Sequence, residues 1–305
     1  MAKFIARRLM WTLVVLFAVA TITFVLMHLV PGGPWDRAKA LAPQVIENLN
    51  EKYGLDKPLI VQFGTYIWNA VHGNLGVSYI FQDRGVTEII LGGLPVSAVL
   101  GLSAFVLAII MGISLGVAAA LKQNSWVDYF SVGYATIFAS VPGFVLGILL
   151  MYLLSIQLHW LPTGGWGGVT HIIMPAIALA ALPGAYMARI TRASMLDVIR
   201  QDYVRTARAK GLPERLVLIR HIGRNAMIPV VTVAGPELAG LITGSFIIET
   251  LFSVPGIGRL FVAGVFQRDY GLIMGSILFY AFAVAIVNLA ADVIYAAIDP
   301  RIRYD

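Results

Sequence analysis

The chain has 305 residues, of which 59% are hydrophobic and only 12% are charged. Soluble domains average about 25% charged residues, so this composition excludes a soluble globular protein and indicates a chain embedded in a membrane. The sequence contains no cysteine, which excludes a disulfide framework, a cysteine-ligated metal site and a thiol nucleophile. The net charge of +6 is therefore interpreted against a membrane, where Lys and Arg mark the cytoplasmic side.

Six apolar stretches are long enough to cross the roughly 30 Å hydrocarbon core of a bilayer, which takes about 20 helical residues. The sequence therefore predicts an all-α membrane protein with six transmembrane helices. The first stretch exceeds the roughly 7–15 apolar residues of a secretory signal, so we interpret it as a retained signal-anchor helix. The fourth is short and contains Pro175 and Pro183. The predicted spans are residues 9–30, 97–121, 129–158, 172–188, 227–248 and 271–294.

The distribution of Lys and Arg predicts the orientation of these spans. If the N-terminus is cytoplasmic, 15 of the 22 Lys and Arg residues lie on the cytoplasmic side, in agreement with the positive-inside rule. Both termini are then cytoplasmic, and residues 189–226 form the largest cytoplasmic loop. We divide the chain into residues 1–96, a transmembrane helix with an extracytoplasmic helical loop, and residues 97–305, a core membrane domain.

The extracytoplasmic segments contain predicted helices of their own. Between the last two spans, residues 260–266 are apolar but too short to cross the membrane, which indicates a re-entrant or interfacial helix. Residues 31–96 contain two amphipathic helical patterns, the second ending at Gly73. The first pattern consists of Val45, Ile46, Leu49 and Tyr53, and the second of Ile60, Phe63, Ile67 and Val71.

Glycines recur at the G-x-x-x-G spacing in three predicted spans, at residues 112–116, 143–147 and 240–244. This spacing lets helix backbones approach closely and indicates a tightly packed bundle. Residues 112–116 also match G-x-S-x-G, but a nucleophile elbow needs a strand–turn–helix, which a membrane helix does not provide. The sequence shows no catalytic set, no histidine pair with metal-ligand spacing and no phosphate-binding P-loop. Any nucleotide that drives the protein therefore binds to another chain.

Ionisable residues inside a membrane are functional candidates. Glu237 follows Pro236, which could unwind the fifth span, and two interpretations stay equally open: Glu237 lines a pathway, or it bonds to another helix. The sixth span carries polar residues on one helical face, which indicates a structural polar seam more than a proton relay. These residues are Asn288, Asp292, Tyr295 and Asp299.

The cytoplasmic loop gathers cations in RTARAKGLPERLVLIRHIGR, residues 205–224. Ser194 and Asp197 fit a capping-box helix start. Asp202 is placed to cap a second short helix over residues 203–210. The pattern Gly211 and Pro213 is typical of a helix stop.

The cations of this folded loop have three interpretations: the positive-inside rule alone, anionic lipid binding, or a docked protein partner. The positive-inside rule explains the cations but not the helix–Gly–Pro pattern. Anionic lipid is possible, and a protein partner docked on a short exposed helix explains both features. Nucleic acid is not indicated, because no aromatic platform or recognised nucleic-acid module accompanies the charge.

The segment YVRTARAKGLPERLVLIRHIGRNAMIP resembles the cytoplasmic signature of membrane subunits of bacterial binding-protein-dependent ABC importers, in its peptide-importer form. The resemblance covers essentially the whole chain. The chain is similar to the first of the two membrane subunits of oligopeptide and dipeptide permeases. Further segments that carry it are FIARRL, PVSAVLGLSAF, ALKQNSWVDY, HWLPTGGW, ITGSFIIETLFSVPGIGRLFVAGVFQRDY and DVIYAAIDPRIRY.

The resemblance implies a type I ABC importer permease fold in the bacterial cytoplasmic (inner) membrane, with residues 97–305 as the core permease domain. It implies import of oligopeptides or dipeptides by ATP-driven alternating access. A homologous second permease subunit, two ATPase subunits and an extracytoplasmic substrate-binding protein would complete the transporter. ATP and Mg would bind the ATPase subunits, so this chain would be no enzyme and would hold no cofactor, metal or catalytic residue.

The resemblance also implies site residues. The general signature E-A-A-x-x-x-G reads here Arg205-Thr206-Ala207 and then Gly211, so the contact that its Glu makes is not carried over. The residues implied to couple the chain to an ATPase are Tyr203, Arg205, Ala207, Arg208, Lys210, Gly211 and Arg215. The candidate pathway or gating residues are Glu237, Glu249, Pro255, Gly256, Gly258, Asn288 and Asp292.

Alternatives remain at this stage. From the residues alone, a secondary transporter or a channel stays open, with a membrane enzyme as a more distant third class. Within the resembled family, members import glutathione or chelated nickel as well as peptides, and specificity resides largely in the separate binding protein.

Overall fold

The structure is a computed structural model that describes residues 2–35, 42–81 and 84–298, with side chains for 6–35, 42–81 and 84–290. The described residues form helices and connecting turns, and the extended pairing among them is one isolated bridge between Val77 and Gly85. The predicted all-α class is confirmed. Asp299 and the side chains of Asp292 and Tyr295 lie outside the described residues, as do the C-terminal cations.

The N-terminal part contains one long helix and two short ones: α1 (Ala2–Leu29), α2 (Pro43–Tyr53) and α3 (Leu59–Val71). The two amphipathic helices predicted in the long loop are confirmed. The α2 helix ends at Gly54, which has a left-handed backbone conformation and donates its N–H to carbonyls of the last turn. Glycine is the residue most often found in this conformation after a helix.

The long helix α4 (Val86–Leu121) comes next. It is followed by α5 (Trp126–Ser140) and α6 (Gly143–Leu150), which are separated by a break at a proline, and α6 continues as a π-helix over Met151–Gln157. The predicted continuous span 129–158 is wrong, because α5 and the α6 segment meet at 102°. Pro142 lies at this bend, where it has no N–H to continue the helix. The predicted span 97–121 starts too late, because α4 continues through Pro95.

The seventh helix, α7 (Val169–Ile199), is longer than the predicted span 172–188 and contains both Pro175 and Pro183. Because α7 runs to Ile199, the helix start predicted at Ser194 is wrong. In a membrane, neighbouring helices, Ser or Thr side chains or water can satisfy the carbonyls that such prolines free, so a helix need not end at them.

The segment predicted to be cytoplasmic is folded into short helices: α8 (Asp202–Ala209), α9 (Glu214–Leu216), a π-helix (Val217–Gly223) and α10 (Arg224–Ala226). The predicted second short helix is confirmed. The predicted Asp202 cap is wrong, because the cap position belongs to Gln201 and no side chain caps the helix.

The remaining helices are α11 (Ile228–Ile242), α12 (Phe246–Leu251), α13 (Ile257–Phe266) and α14 (Tyr270–Ile298). The predicted fifth span, 227–248, is broken between α11 and α12, where Gly244 has a φ of +96°. Pro236 lies inside α11, so the predicted unwinding there is wrong. The predicted short apolar helix is confirmed as α13.

Five helical segments are long and apolar enough to cross a membrane: Ala6–Leu29, Val86–Leu121, Val169–Ile199, Ile228–Leu251 and Tyr270–Ala290. The bent pair Trp126–Ser140 and Gly143–Gln157 would make a sixth. Each of the six overlaps a stretch that the sequence predicts, although several extend beyond the predicted bounds.

The most extensive helix pair is α4 against α7. A Cβ atom added at Gly112 would lie 2.6 Å from Met187 Cβ, and one at Gly116 would lie 2.5 Å from Thr191 Cβ. Gly143 and Gly147 are similarly close to α7 and to Leu251. Close packing at these glycines is confirmed. The prediction of close packing is wrong for Gly240, where an added Cβ would meet no atom within 4 Å.

We expect Gly116→Ala to destabilise the chain by about 1–3 kcal/mol, because the added methyl overpacks the contact between α4 and α7. Gly92→Ala is the matched control: it lies on the same helix, and its Cβ would meet nothing within 4 Å. Both changes raise helix propensity equally. Thermal unfolding of the purified chain in detergent should show a lower midpoint for Gly116→Ala alone. Equal midpoints would contradict the packing argument.

Candidate functional site

Helix α8 is anchored to the body of the protein by its apolar side. Val204 and Ala207 are buried in a cluster with Ala120 of α4 and Met195 of α7. Val217, Ile222 and Ala226 of the following helices complete this cluster. The helix therefore packs mainly on the π-helix Val217–Gly223 and shares one apolar cluster with the adjacent ends of α4 and α7.

The turn after α8 needs glycine. Gly211 has a φ of +74°, and its N–H donates to the carbonyl of Arg208. Residues with a side chain rarely adopt this conformation. The helix stop predicted at Gly211 is therefore confirmed. Across the turn, the Arg208 guanidinium donates to both carboxylate oxygens of Glu214, at 2.6 and 3.2 Å. This bonding lowers the pKa of Glu214 and raises the pKa of Arg208.

The opposite side of α8 presents polar and cationic groups outward. Arg205 and Lys210 are exposed, as is Arg215 in the next helix. The Tyr203 hydroxyl accepts a hydrogen bond from Asn225 at 2.8 Å, and its side chain is 41% exposed. Of the predicted coupling residues, Ala207 alone is buried, since it belongs to the anchoring side.

An ion pair between a buried carboxylate and a partly exposed guanidinium joins α5 to α7 at the same end of the protein. The Asp128 carboxylate, at the start of α5, accepts two hydrogen bonds from Arg192 of α7, at 2.6 and 2.8 Å. It also accepts one from the backbone N–H of Asn124. The sequence interpretation missed this pair, because the partners lie 64 positions apart and no local pattern joins them.

At the other end of α4, Glu249 is fully buried and accepts four hydrogen bonds. Its Oε1 accepts from the Ser97 hydroxyl at 2.8 Å and from the N–H of Ser245 at 3.3 Å. Its Oε2 accepts from the N–H groups of Gly258 and Arg259 at 2.8 and 3.3 Å. Ser97 in turn accepts from the N–H of Ile257 at 2.9 Å. We call this set the Glu249 cluster.

The Glu249 cluster joins three helices. Ser97 belongs to α4, Glu249 to α12, and the three N–H groups of residues 257–259 form the start of α13. Helix starts leave N–H groups unpaired and carry a partial positive charge, so a carboxylate is favourable there. The two predicted gating glycines at 256 and 258 belong to this arrangement.

Glycine is required around the carboxylate for space. A Cβ at Gly244 would lie 2.7 Å from Glu249 Oε1, and one at Gly258 would lie 2.7 Å from the Ser245 carbonyl. A Cβ at Gly256 would overlap both Glu249 and Ser97. Pro255, by contrast, is exposed on the connecting turn.

The other predicted pathway residues lie apart from this cluster. Glu237 is half-buried on α11, and Asn288 is half-buried on α14. Among the pathway residues whose side chains the structure describes, Glu237 and Asn288 therefore make none of the hydrogen bonds of the Glu249 cluster. The α11 segment is separated from α12 by the break at residues 243–245.

A second buried carboxylate, Asp269, joins the segment between α1 and α4 to the start of α14. Asp269 caps α14, because its Oδ1 accepts a hydrogen bond from the N–H of Leu272 at 3.0 Å. Its Oδ2 accepts from the Ser78 hydroxyl at 2.6 Å and from the N–H groups of Tyr79 and Ile80. The sequence interpretation missed this role, although an Asp placed immediately before an apolar helix is a recognisable cap signal.

Two family models match the chain. Residues 112–304 match the model described as binding-protein-dependent transport system inner membrane component. Residues 1–100 match the corresponding N-terminal model of such membrane components.

Curated relatives match along the full length. The oligopeptide transport system permease protein OppB of Escherichia coli (strain K12) is 44% identical over 306 residues, covering 100% of both chains. The glutathione transport system permease protein GsiC of Escherichia coli O6:H1 is 42% identical, with 100% of both chains covered. The dipeptide transport system permease protein DppB of Bacillus subtilis (strain 168) is 39% identical over 99% of this chain and 98% of the relative.

Solved structures show the same fold at low sequence identity. A chain of the MetNI methionine ABC transporter superposes with a TM-score of 0.58 at 15% identity, covering 69% of this chain and 96% of that chain.

We expect Glu249→Gln to destabilise the protein by about 1–3 kcal/mol, because the amide nitrogen cannot accept the backbone hydrogen bonds that one carboxylate oxygen receives. Glu88→Gln is the control, since the Glu88 side chain is 68% exposed and pairs with Arg84 at the surface. Thermal unfolding in detergent checks the difference. Unchanged stability of Glu249→Gln would contradict a carboxylate that holds α12 and α13 to α4.

Proposed function

This chain belongs to the family of inner membrane components of binding-protein-dependent transport systems, and from that premise we propose that it is a peptide-translocating membrane subunit of an ABC importer. ATP-driven alternating access in this subunit would carry oligopeptides or dipeptides across the cytoplasmic membrane. Separate subunits would bind ATP and Mg and hydrolyse the nucleotide.

The observation that carries the proposal is the seating of α8. The apolar side of this short helix is buried in a cluster that it shares with the ends of α4 and α7, while Tyr203, Arg205, Lys210 and Arg215 are exposed. An anchored helix with an exposed cationic side is suited to transmit movement of a docked partner into the membrane helices. If these cations served only to orient the chain in the membrane, the helix that carries them would need no such anchoring.

The two ends of the α4–α7 pair suggest how movement would be used. The α8 helix is fixed at one end, and the Glu249 cluster fixes α12 and α13 near the other. Tilting the pair would therefore move α13 together with α8. Alternating access needs a two-state element that a ligand biases, and the ATPase subunits would supply that bias through α8.

The remaining site assignments follow from this arrangement. Glu249, Gly256 and Gly258 would position the outer gate through α13, with Pro255 at its exposed turn. Glu237, Asn288 and Asp292 remain candidates for the lining of the pathway. The chain itself would carry no catalytic residue.

The partners follow from the same proposal. A homologous second permease subunit would complete the pathway, two ATPase subunits would dock on the cytoplasmic loops, and an extracytoplasmic binding protein would deliver the cargo. Six spans with both termini in the cytoplasm would place α8 on the ATPase side.

Peptide is the favoured cargo because a relative named for oligopeptide transport matches the whole chain at 44% identity. Glutathione is the second candidate, since a glutathione permease matches at 42%. The test is to co-purify the chain with its candidate partners and to measure ATP hydrolysis with binding protein and either peptide or glutathione. Stimulation by peptide supports the proposal, stimulation by glutathione alone corrects the cargo, and a chain that transports without ATP would overturn it.

We expect Gly211→Asp to reduce transport-coupled ATP hydrolysis while leaving membrane insertion intact, because it strains the turn that ends α8. Gly211→Asn should retain more activity than Gly211→Val, since Asn tolerates positive φ better than a β-branched residue does. Gly73→Asp is the matched control: its φ is +82°, and its surroundings are equally open. Equal hydrolysis in Gly211→Asp and Gly73→Asp would count against the coupling role of the turn.

A further inference from the structure

The α3 helix differs in character from its neighbour α2. The α2 sequence, PQVIENLNEKY, carries exposed charged residues such as Glu47. The α3 sequence, LIVQFGTYIWNAV, contains no charge, and no Asp, Glu, Lys or Arg occurs between Lys57 and Asp83. A helix that met only water on its outer side would normally carry charges there.

The side chains of α3 divide into three strips. Phe63, Tyr66 and Ile67 pack against a cluster formed by α1 and α14. Gln62 and Asn69 form a polar strip that lines a cavity of about 410 Å³. The third strip is apolar and largely exposed: Ile60, Trp68 and Val71 are 77%, 69% and 79% exposed. The Trp68 ring contacts the ring of His72, one turn further along, with centroids 4.6 Å apart.

Aromatic contacts fix the depth of α3 along α1. The ring of Phe63 lies 6.0 Å from that of Phe17 and 5.1 Å from that of Phe24, centroid to centroid. Phe17 lies twelve residues before the end of the α1 span at Leu29, which corresponds to roughly 18 Å of helix. Half of the hydrocarbon core is about 15 Å, so these contacts place α3 below the level at which α1 leaves the membrane.

The surface next to α3 is already a membrane surface. Phe17, which contacts Phe63, is itself 57% exposed in the middle of a membrane-crossing helix. The exposed strip of α3 therefore continues the lipid-facing surface of α1. Trp68 is typical of the membrane–water interface, where aromatic rings are enriched.

We propose that α3 is inserted in the membrane, in the leaflet that contains the C-terminal half of α1, with its Ile60–Trp68–Val71 strip against lipid acyl chains. The polar strip then faces the cavity, and the charged α2 stays in water. This extracytoplasmic segment is thus anchored by lipid as well as by α1 and α14. The inference rests on α1 crossing the membrane, and neither the cargo nor the coupling role of α8 enters it.

The test uses the natural absence of cysteine. Single cysteines at Ile60, Trp68 and Val71 are spin-labelled in the full chain, assembled with its partner subunits in lipid nanodiscs. Glu47→Cys on α2 is the matched water-facing control. Collision of each label is measured with oxygen, which partitions into lipid, and with a water-soluble nickel chelate.

The ratio of oxygen to nickel accessibility is expected to exceed that of a free aqueous label at all three α3 positions, and to fall in the aqueous range at Glu47→Cys. High nickel accessibility on α3 would overturn the proposal, because the strip would then face water. Low accessibility to both reagents would also overturn it, because a protein surface would then cover the strip. Three separate positions keep the result informative if one variant fails to assemble.

Discussion

The backbone contact between α4 and α7 is the constraint on which the other parts of the structure depend. In a bilayer, apolar side chains gain little by leaving lipid for another helix, so association relies on close packing and on polar contacts. Gly112 and Gly116 permit that packing, since a Cβ at either position would collide with α7. The resulting pair carries α8 at one end and, through Ser97, the Glu249 cluster nearer the other.

Buried carboxylates join segments that are remote in sequence. Glu249 connects α12 and α13 to α4, Asp128 connects α5 to α7, and Asp269 connects the segment at residues 78–80 to α14. A carboxylate removed from water is costly unless hydrogen bonds satisfy it, and each of these accepts at least three. These sites therefore specify which segments meet, in a protein whose apolar surfaces offer little discrimination between partners.

Periodicity and hydropathy predict much of this fold. The helices α2, α3, α8 and α13 and the regions of all six candidate spans follow from the sequence. The breaks do not follow, because proline alone does not decide them: Pro142 lies at a bend, whereas Pro95, Pro183 and Pro236 lie inside continuous helices. Neighbouring helices determine whether the freed carbonyls are satisfied. The role of Glu249 in joining α12 and α13 to α4 could likewise not be predicted from the residues, since its partner Ser97 lies 152 positions away.

The central claim is that an ATPase subunit docks on α8. The most direct test is thiol-to-amine cross-linking from α8 to an ATPase subunit in native-like membranes. A cysteine at Arg205, an exposed position of α8, is reacted with a short thiol-to-amine cross-linker in the assembled transporter, with Glu47→Cys as background. The account predicts a cross-linked product that contains the ATPase subunit, formed from Arg205→Cys and absent from Glu47→Cys. An assembled complex in which Arg205→Cys gives no such product would contradict the docking of the ATPase on this helix.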